Sequence, residues 1–105
     1  MFELLLTDEC EKWIANLRDK SARTHVVAYL HKLSRGNLSD SKSLSNGLYE
    51  LRIHYAKGYR VYYARRGKAL LVILIGGTKQ SQSRDIVKAR KILETYDTED
   101  GHETA

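Results

Sequence analysis

The sequence contains no proline, one cysteine, one tryptophan and one phenylalanine. Without proline, no helix or strand is interrupted by a missing N–H, and turns fall to glycine, asparagine and serine. The lone cysteine, Cys10, excludes an internal disulfide and a Cys-based zinc site. Long apolar runs are missing too: the longest, residues 69–75, is far short of the roughly 20 residues a membrane helix needs. The start lacks the basic n-region of a secretory signal, so the expected location is the cytoplasm, with no membrane partner. What remains is 105 residues, 42% hydrophobic and 30% charged, the balance of one ordinary globular domain.

Acidic residues are scarce in one stretch only. Residues 1–34 carry five basic and five acidic side chains, whereas residues 35–91 carry thirteen Lys or Arg against Asp40, Glu50 and Asp85. Residues 92–105 hold five acids and no Lys or Arg. The middle segment therefore carries the positive field expected of a polyanion binder. Charge counts alone fit a solvated basic surface equally well. The acidic end reads as a disordered tail over residues 97–105, beyond a folded domain over residues 1–96.

Phe2 to Leu6 reads as a short strand. Thr7 and Asp8 are both N-cap types, and Asp8 with Glu11 has the spacing of a capping box. Cys10, Trp13, Ile14 and Leu17 form one helical face; Ala22, Val26, Leu30 and Leu33 form a second, which ends at Gly36. The two helices make a hairpin. Residues 36–47 read as a polar, serine-rich loop. Residues 48–55 and 59–65 alternate as two aromatic-rich strands around Ala56-Lys57-Gly58. Residues 68–75 form a buried strand, and a last helix is expected from Ser81 to Tyr96. The fold class is α+β, with an N-terminal strand and helix hairpin packed on an antiparallel sheet.

A three-residue hairpin loop pairs Tyr55 with Tyr59, His54 with Arg60 and Arg52 with Tyr62. Tyr49, Leu51, Ile53, Tyr55, Tyr59, Val61 and Tyr63 then cover the helix hairpin. Glu50, Arg52, His54, Arg60 and Tyr62 share the other face, where adjacent like charges cost several tenths of a kcal/mol, unless an anion or Glu50 offsets them. A two-residue turn at Arg66-Gly67 pairs Tyr62 with Leu71 and adds apolar side chains to this face. Either the last helix or a partner protein must cover them.

Several strings now occur in order: Trp13, Leu17-Arg18-Asp19, Ala22-Arg23, Leu33, Gly36-Asn37 and Asp40-x-Lys42. They continue with Glu50-Leu51-Arg52-Ile53, Gly58-Tyr59-Arg60-Val61-Tyr62-Tyr63, Gly76-Gly77-x-Lys79-x-x-Gln82 and Asp85-Ile86-x-x-Ala89. Together they resemble the addiction module killer protein branch of the RelE/ParE toxin superfamily, also called HigB-like or Gp49-like, over about residues 2–94. Thr78 stands where that branch usually has Asp, and Ser39 and Ser45 replace glycines. The resemblance implies a RelE-like domain and a toxin of a type II toxin–antitoxin pair. Such a toxin is commonly an mRNA endoribonuclease working at the ribosome. It also implies a neutralising antitoxin, typically a helix-turn-helix protein, and operator DNA bound only through the antitoxin complex. The alternatives are a non-enzymatic, ParE-like gyrase poison and a catalytically inactive binding module.

Metal-independent RNA cleavage uses the 2′-hydroxyl as nucleophile. It needs a base, an acid, and cations around the phosphorane. No histidine here has ligand spacing with carboxylates, so no metal or other cofactor is expected and side chains must do this work. Arg60 suits the phosphate through its bidentate fork and stands at the Gly-Tyr-Arg position where RelE-type nucleases carry a catalytic arginine. Arg52 lies beside it on the same face. His54 is the candidate base, histidine being the side chain that exchanges protons near neutrality. Lys79, at the start of the last helix, is the fourth catalytic candidate. Lys42, Lys57, Tyr62, Gln82 and Arg84 are candidate RNA contacts, with Tyr62 offering a ring for base stacking.

Overall fold

Thr7 joins the first strand, the first helix and the centre of the sheet through a single hydroxyl. Its Oγ1 accepts from the Cys10 N–H at 3.1 Å and donates to the Leu74 carbonyl at 2.6 Å. Thr7, not Asp8, is therefore the N-cap, and Asp8 is the first helical residue. The computed structural model describes the backbone of residues 1–104 and the side chains of residues 1–99. The strands are β1 (Glu3–Leu6), β2 (Ser41–Ser43), β3 (Leu48–Ile53), β4 (Tyr59–Arg66) and β5 (Leu70–Thr78). The helices are α1 (Asp8–Ala15), α2 (Lys20–Ser34) and, after a single 3-10 turn at Lys79–Ser81, α3 (Gln82–Thr104).

The five strands form one sheet in the order β1-β5-β4-β3-β2. Only the β1–β5 pair is parallel, with Leu4 opposite Leu71 and Leu6 opposite Ile73. Helix α2 is punctuated at both ends. Asp19 Oδ1 accepts from the Ser21 and Ala22 amides, and the Gly36 and Asn37 amides return to the Leu33 and Lys32 carbonyls. That second pair is a Schellman motif, and its left-handed residue is Gly36, at φ 93°.

The sheet is covered on both faces. On one, Leu51, Ile53, Val61, Tyr63, Leu71 and Ile73 pack against Cys10, Ala22, Val26, Leu30 and Leu33 of α1 and α2. On the other, Leu48, Tyr62, Ala64, Val72, Leu74 and Ile75 pack against Ala89 and Leu93 of α3. The last helix therefore covers the apolar strip on the second face. Burial, followed by the charge of Glu11, pushes the Cys10 thiol up to about 12, which makes it an apolar core group.

Four expectations are corrected. The serine-rich segment contains a strand, β2, whose Lys42 lies opposite Glu50 of β3. The β3–β4 loop is five residues, 54–58, with Ile53 opposite Tyr59 and Arg52 opposite Arg60. The sequence register is thus displaced by two residues, which leaves every side chain on its expected face. The β4–β5 turn takes residues 67–69, and a bulge between Tyr62 and Tyr63 shifts the register so that Tyr62 meets Ile75, not Leu71. The boundary expected at Tyr96 is also short: α3 stays helical to Thr104, and Asp97 takes both Nε and Nη2 of Arg66 at 2.8 and 2.6 Å. That pairing holds the Asp97 carboxyl below its usual range. The remainder of the acidic segment, from residue 100, lies outside the described side chains.

Trp13 bridges the two cores, packing against both. Its ring lies on Gly76, where an added Cβ would fall 2.2 Å from Cζ3. Gly76→Ala is therefore expected to destabilise the fold by about 1–3 kcal/mol, the usual cost of overpacking. The measurement is the urea midpoint followed by Trp13 emission; an unchanged midpoint would mean that the ring can move aside.

Candidate functional site

The β3–β4 register sets two guanidinium groups side by side, Arg52 directly opposite Arg60. Alone, such a pair is repulsive. The compensation is Glu50, fully buried two residues before Arg52 on the same face. Arg52 Nε donates to Glu50 Oε1 at 3.0 Å, and Arg60 Nε lies 3.8 Å from Oε2. Gln82, at the start of α3, donates its amide to Oε2 at 2.6 Å. A buried carboxylate is tolerable only with partners of this kind.

The loops around this pair are tied to it. Gly58, at φ 78°, turns its carbonyl to accept from Arg60 Nη1 at 3.3 Å and from the Lys79 amide at 2.9 Å. One carbonyl thus fixes the 3-10 turn carrying Lys79 to the loop carrying Lys57. At the loop's other end, the His54 amide donates to Tyr29 Oη at 3.3 Å, and His54 Nε2 lies 3.4 Å from Asp40 Oδ1. Tyr55 stacks on His25 of α2 with ring centroids 4.1 Å apart and donates its hydroxyl to Asp19. The Ala22 amide, assisted by Tyr55, holds the Asp19 carboxyl below its ordinary range.

These ties shape an open hollow of about 500 Å³ lined by Arg52, His54, Lys57, Arg60 and Lys79, among others. Two arginines and two lysines line it, and the arginines rest on one buried carboxylate. Because Arg52 and Arg60 turn Nε toward Glu50, their forks are oriented by a fixed anchor, and an oxyanion entering the hollow meets preorganised charge. His54, whose Nε2 faces Asp40, is the one imidazole among the residues lining this hollow. Among the described residues, no group of three or more His, Cys, Asp or Glu side chains gathers to hold a metal.

All four residues expected to be catalytic line this hollow, with Lys57; the other expected contacts do not. Lys42 is exposed on β2 and outside it. Tyr62 is fully buried beneath α3, so it presents no ring face to a base; burial, then the charge of Glu50, pushes its phenol well above the ordinary value. Gln82 spends its amide on Glu50 and acts by positioning. Arg84 lines a separate hollow beside Trp13 and Gly77. The anchoring residues missed from sequence are Glu50 as a shared counter-ion, Asp40 as the partner of His54, and the Gly58 carbonyl. A signal existed for two of them: the basic segment has only three acids, and each has a defined partner, the third being Asp85, which accepts from Ser81.

Comparison with known proteins matches residues 12–97 to the model of a family described as phage-derived protein Gp49-like. A protein of Haemophilus influenzae, described as uncharacterized, is 34% identical over 84 residues, which are 80% of this chain and 85% of the relative. Among solved structures, a chain of the toxin–antitoxin complex RelBE2 from Mycobacterium tuberculosis superposes with a TM-score of 0.61 at 22% identity. That match covers 74% of this chain and 98% of the other.

Glu50→Gln removes the shared charge while keeping the shape. It is expected to destabilise the protein by about 3–5 kcal/mol, as breaking a buried ion pair does. Inorganic phosphate is expected to raise the variant's thermal midpoint more than the parent's. Equal midpoints without phosphate would show that Glu50 does not balance the arginine pair.

Proposed function

We propose that this chain, which belongs to the phage-derived Gp49-like family, is the toxin of a type II toxin–antitoxin pair and cleaves messenger RNA without a metal ion. The observation that carries this reading is the convergence of Arg52, Lys57, Arg60 and Lys79 with His54 around one hollow. A protein that acts by binding alone has no need of a proton-exchanging side chain among four fixed cations. The resemblance to a chain of a toxin–antitoxin complex supports an antitoxin as partner. The likeness to the killer-protein branch supports translated messages at the ribosome as the target, in the cytoplasm.

The chemistry follows from the positions. His54 takes the proton from the ribose 2′-hydroxyl as its oxygen attacks the adjacent phosphorus. Arg60, anchored by Gly58 and Glu50, and Arg52, anchored by Glu50, receive the charge that grows on the non-bridging oxygens of the phosphorane. Lys79, tied to the same Gly58 carbonyl as Arg60, protonates the departing 5′-oxygen. The products are a 2′,3′-cyclic phosphate and a free 5′-hydroxyl. Glu50 touches no substrate in this scheme; it holds the arginine pair in place.

Arg60→Ala is expected to lower cleavage by about 10²–10³-fold, the loss of one preorganised donor, and to abolish growth arrest while the circular dichroism spectrum is retained. Induction in cells, with RNA ends mapped by primer extension, is the measurement. New 5′ ends confined to translated regions and absent with Arg60→Ala are the expected result. Growth arrest with intact RNA and a DNA-damage response would replace this reading with gyrase poisoning.

A further inference from the structure

The catalytic hollow is not isolated. A second hollow, of about 480 Å³, shares Ala56, Lys57 and Tyr59 with it and continues along Leu17, Arg18 and Trp13. A third, of about 600 Å³, shares Trp13, Asn16 and Thr78 with the second and ends among Lys12, Arg84 and Lys88. Three depressions, each sharing residues with the next, thus lie in series from the paired arginines to the junction of α1 and α3, a channel bordered over its last two sections by the half-buried Trp13.

In the far section Gly76 and Gly77 are buried, which lets the Trp13 ring and the Asp85 carboxylate lie directly on β5: a Cβ on Gly77 would fall 1.8 Å from Asp85 Oδ2. Of the acids along the channel, Asp85 accepts from Ser81, and Asp19 from Tyr55 and the first amides of α2. Glu9 is the remaining one, against Lys12, Arg18, Arg84 and Lys88. Cations spaced along a groove, with an aromatic ring between them, are the chemistry that single-stranded nucleic acid requires: charge for successive phosphates and a π-face for a base.

We infer that this channel is an extended RNA-binding track, in which the strand flanking the scissile phosphate passes Trp13 and ends on Lys12, Arg84 and Lys88. The inference rests on the ribonuclease reading of the first hollow and extends it to substrate length. It gives Arg84 a contact with RNA away from the reacting phosphate. The occupant is single-stranded, because a base can reach the half-buried Trp13 only when it is not paired.

Trp13 is the sole tryptophan, so its emission reports on the middle of the track directly. The experiment titrates the intact protein with 2′-O-methyl oligoribonucleotides, which cannot be cleaved, as a trinucleotide and as a nonanucleotide. The nonanucleotide is expected to quench Trp13 and to bind at least tenfold more tightly. The double variant Lys12→Ala, Lys88→Ala, altered only at exposed positions, is expected to bring its affinity down to that of the trinucleotide. The slope of log affinity against log salt should fall by about 1.4, two contacts at roughly 0.7 each. Equal affinity at both lengths, or an unchanged slope in the double variant, overturns the track. If Arg60→Ala weakens both oligonucleotides equally while length has no effect, the nuclease site stands and only the track is lost. If neither oligonucleotide binds, the track fails, and the ribonuclease reading is left to the RNA-end mapping in cells.

Discussion

Everything at the site depends on one buried carboxylate. Antiparallel pairing forces Arg52 and Arg60 into direct opposition at the edge of an open hollow. Glu50 resolves the conflict by accepting from Arg52 and Gln82 and by lying against Arg60. Because Gln82 opens α3, the same carboxylate couples the charged end of the sheet to the helix that covers its apolar end. Site and second core are therefore not independent: the helix that buries Ala89 and Leu93 also positions the amide that steadies the arginines.

A second constraint is the way three backbone segments meet around small residues. Gly58 offers its carbonyl to both Arg60 and Lys79, and Gly76 makes room for Trp13. A side chain would be strained at Gly58 by its positive φ and would collide with the Trp13 ring at Gly76. The basic residues are thus distributed along the sequence, on β3, on the β3–β4 loop, on β4 and at the 3-10 turn, and come together only because these approaches are close.

Sequence reasoning reached the fold class, the two helical faces and the inward and outward faces of the hairpin. Face assignment survived an incorrect register because the displacement was two residues, and side-chain direction repeats every two. The reason for the longer loop lies in tertiary contacts that no local pattern displays: Tyr55 leaves the sheet to stack on His25, and His54 leaves it to meet Asp40. Strand β2 was hidden because three serine-flanked residues carry no alternation; its partner strand, not its composition, makes it extended. Tyr62 was misread for a related reason. Its parity was right, but how far α3 reaches along that face is a matter of helix packing, which periodicity alone does not give.

The topology has a consequence for how the protein comes into being. β5 lies between β1 and β4, so an interior strand of the sheet is the last strand made, and β1, the first, must wait for it. Until residues 70–78 have left the ribosome, the first helix has no Leu74 carbonyl for Thr7 and the arginine pair has no Lys79 beside it. Chains grow at roughly 5–20 residues per second, so the nascent polypeptide spends seconds as an incomplete sheet. The cluster of charges is therefore completed only late in synthesis, and a copy interrupted before residue 70 lacks both β5 and Lys79.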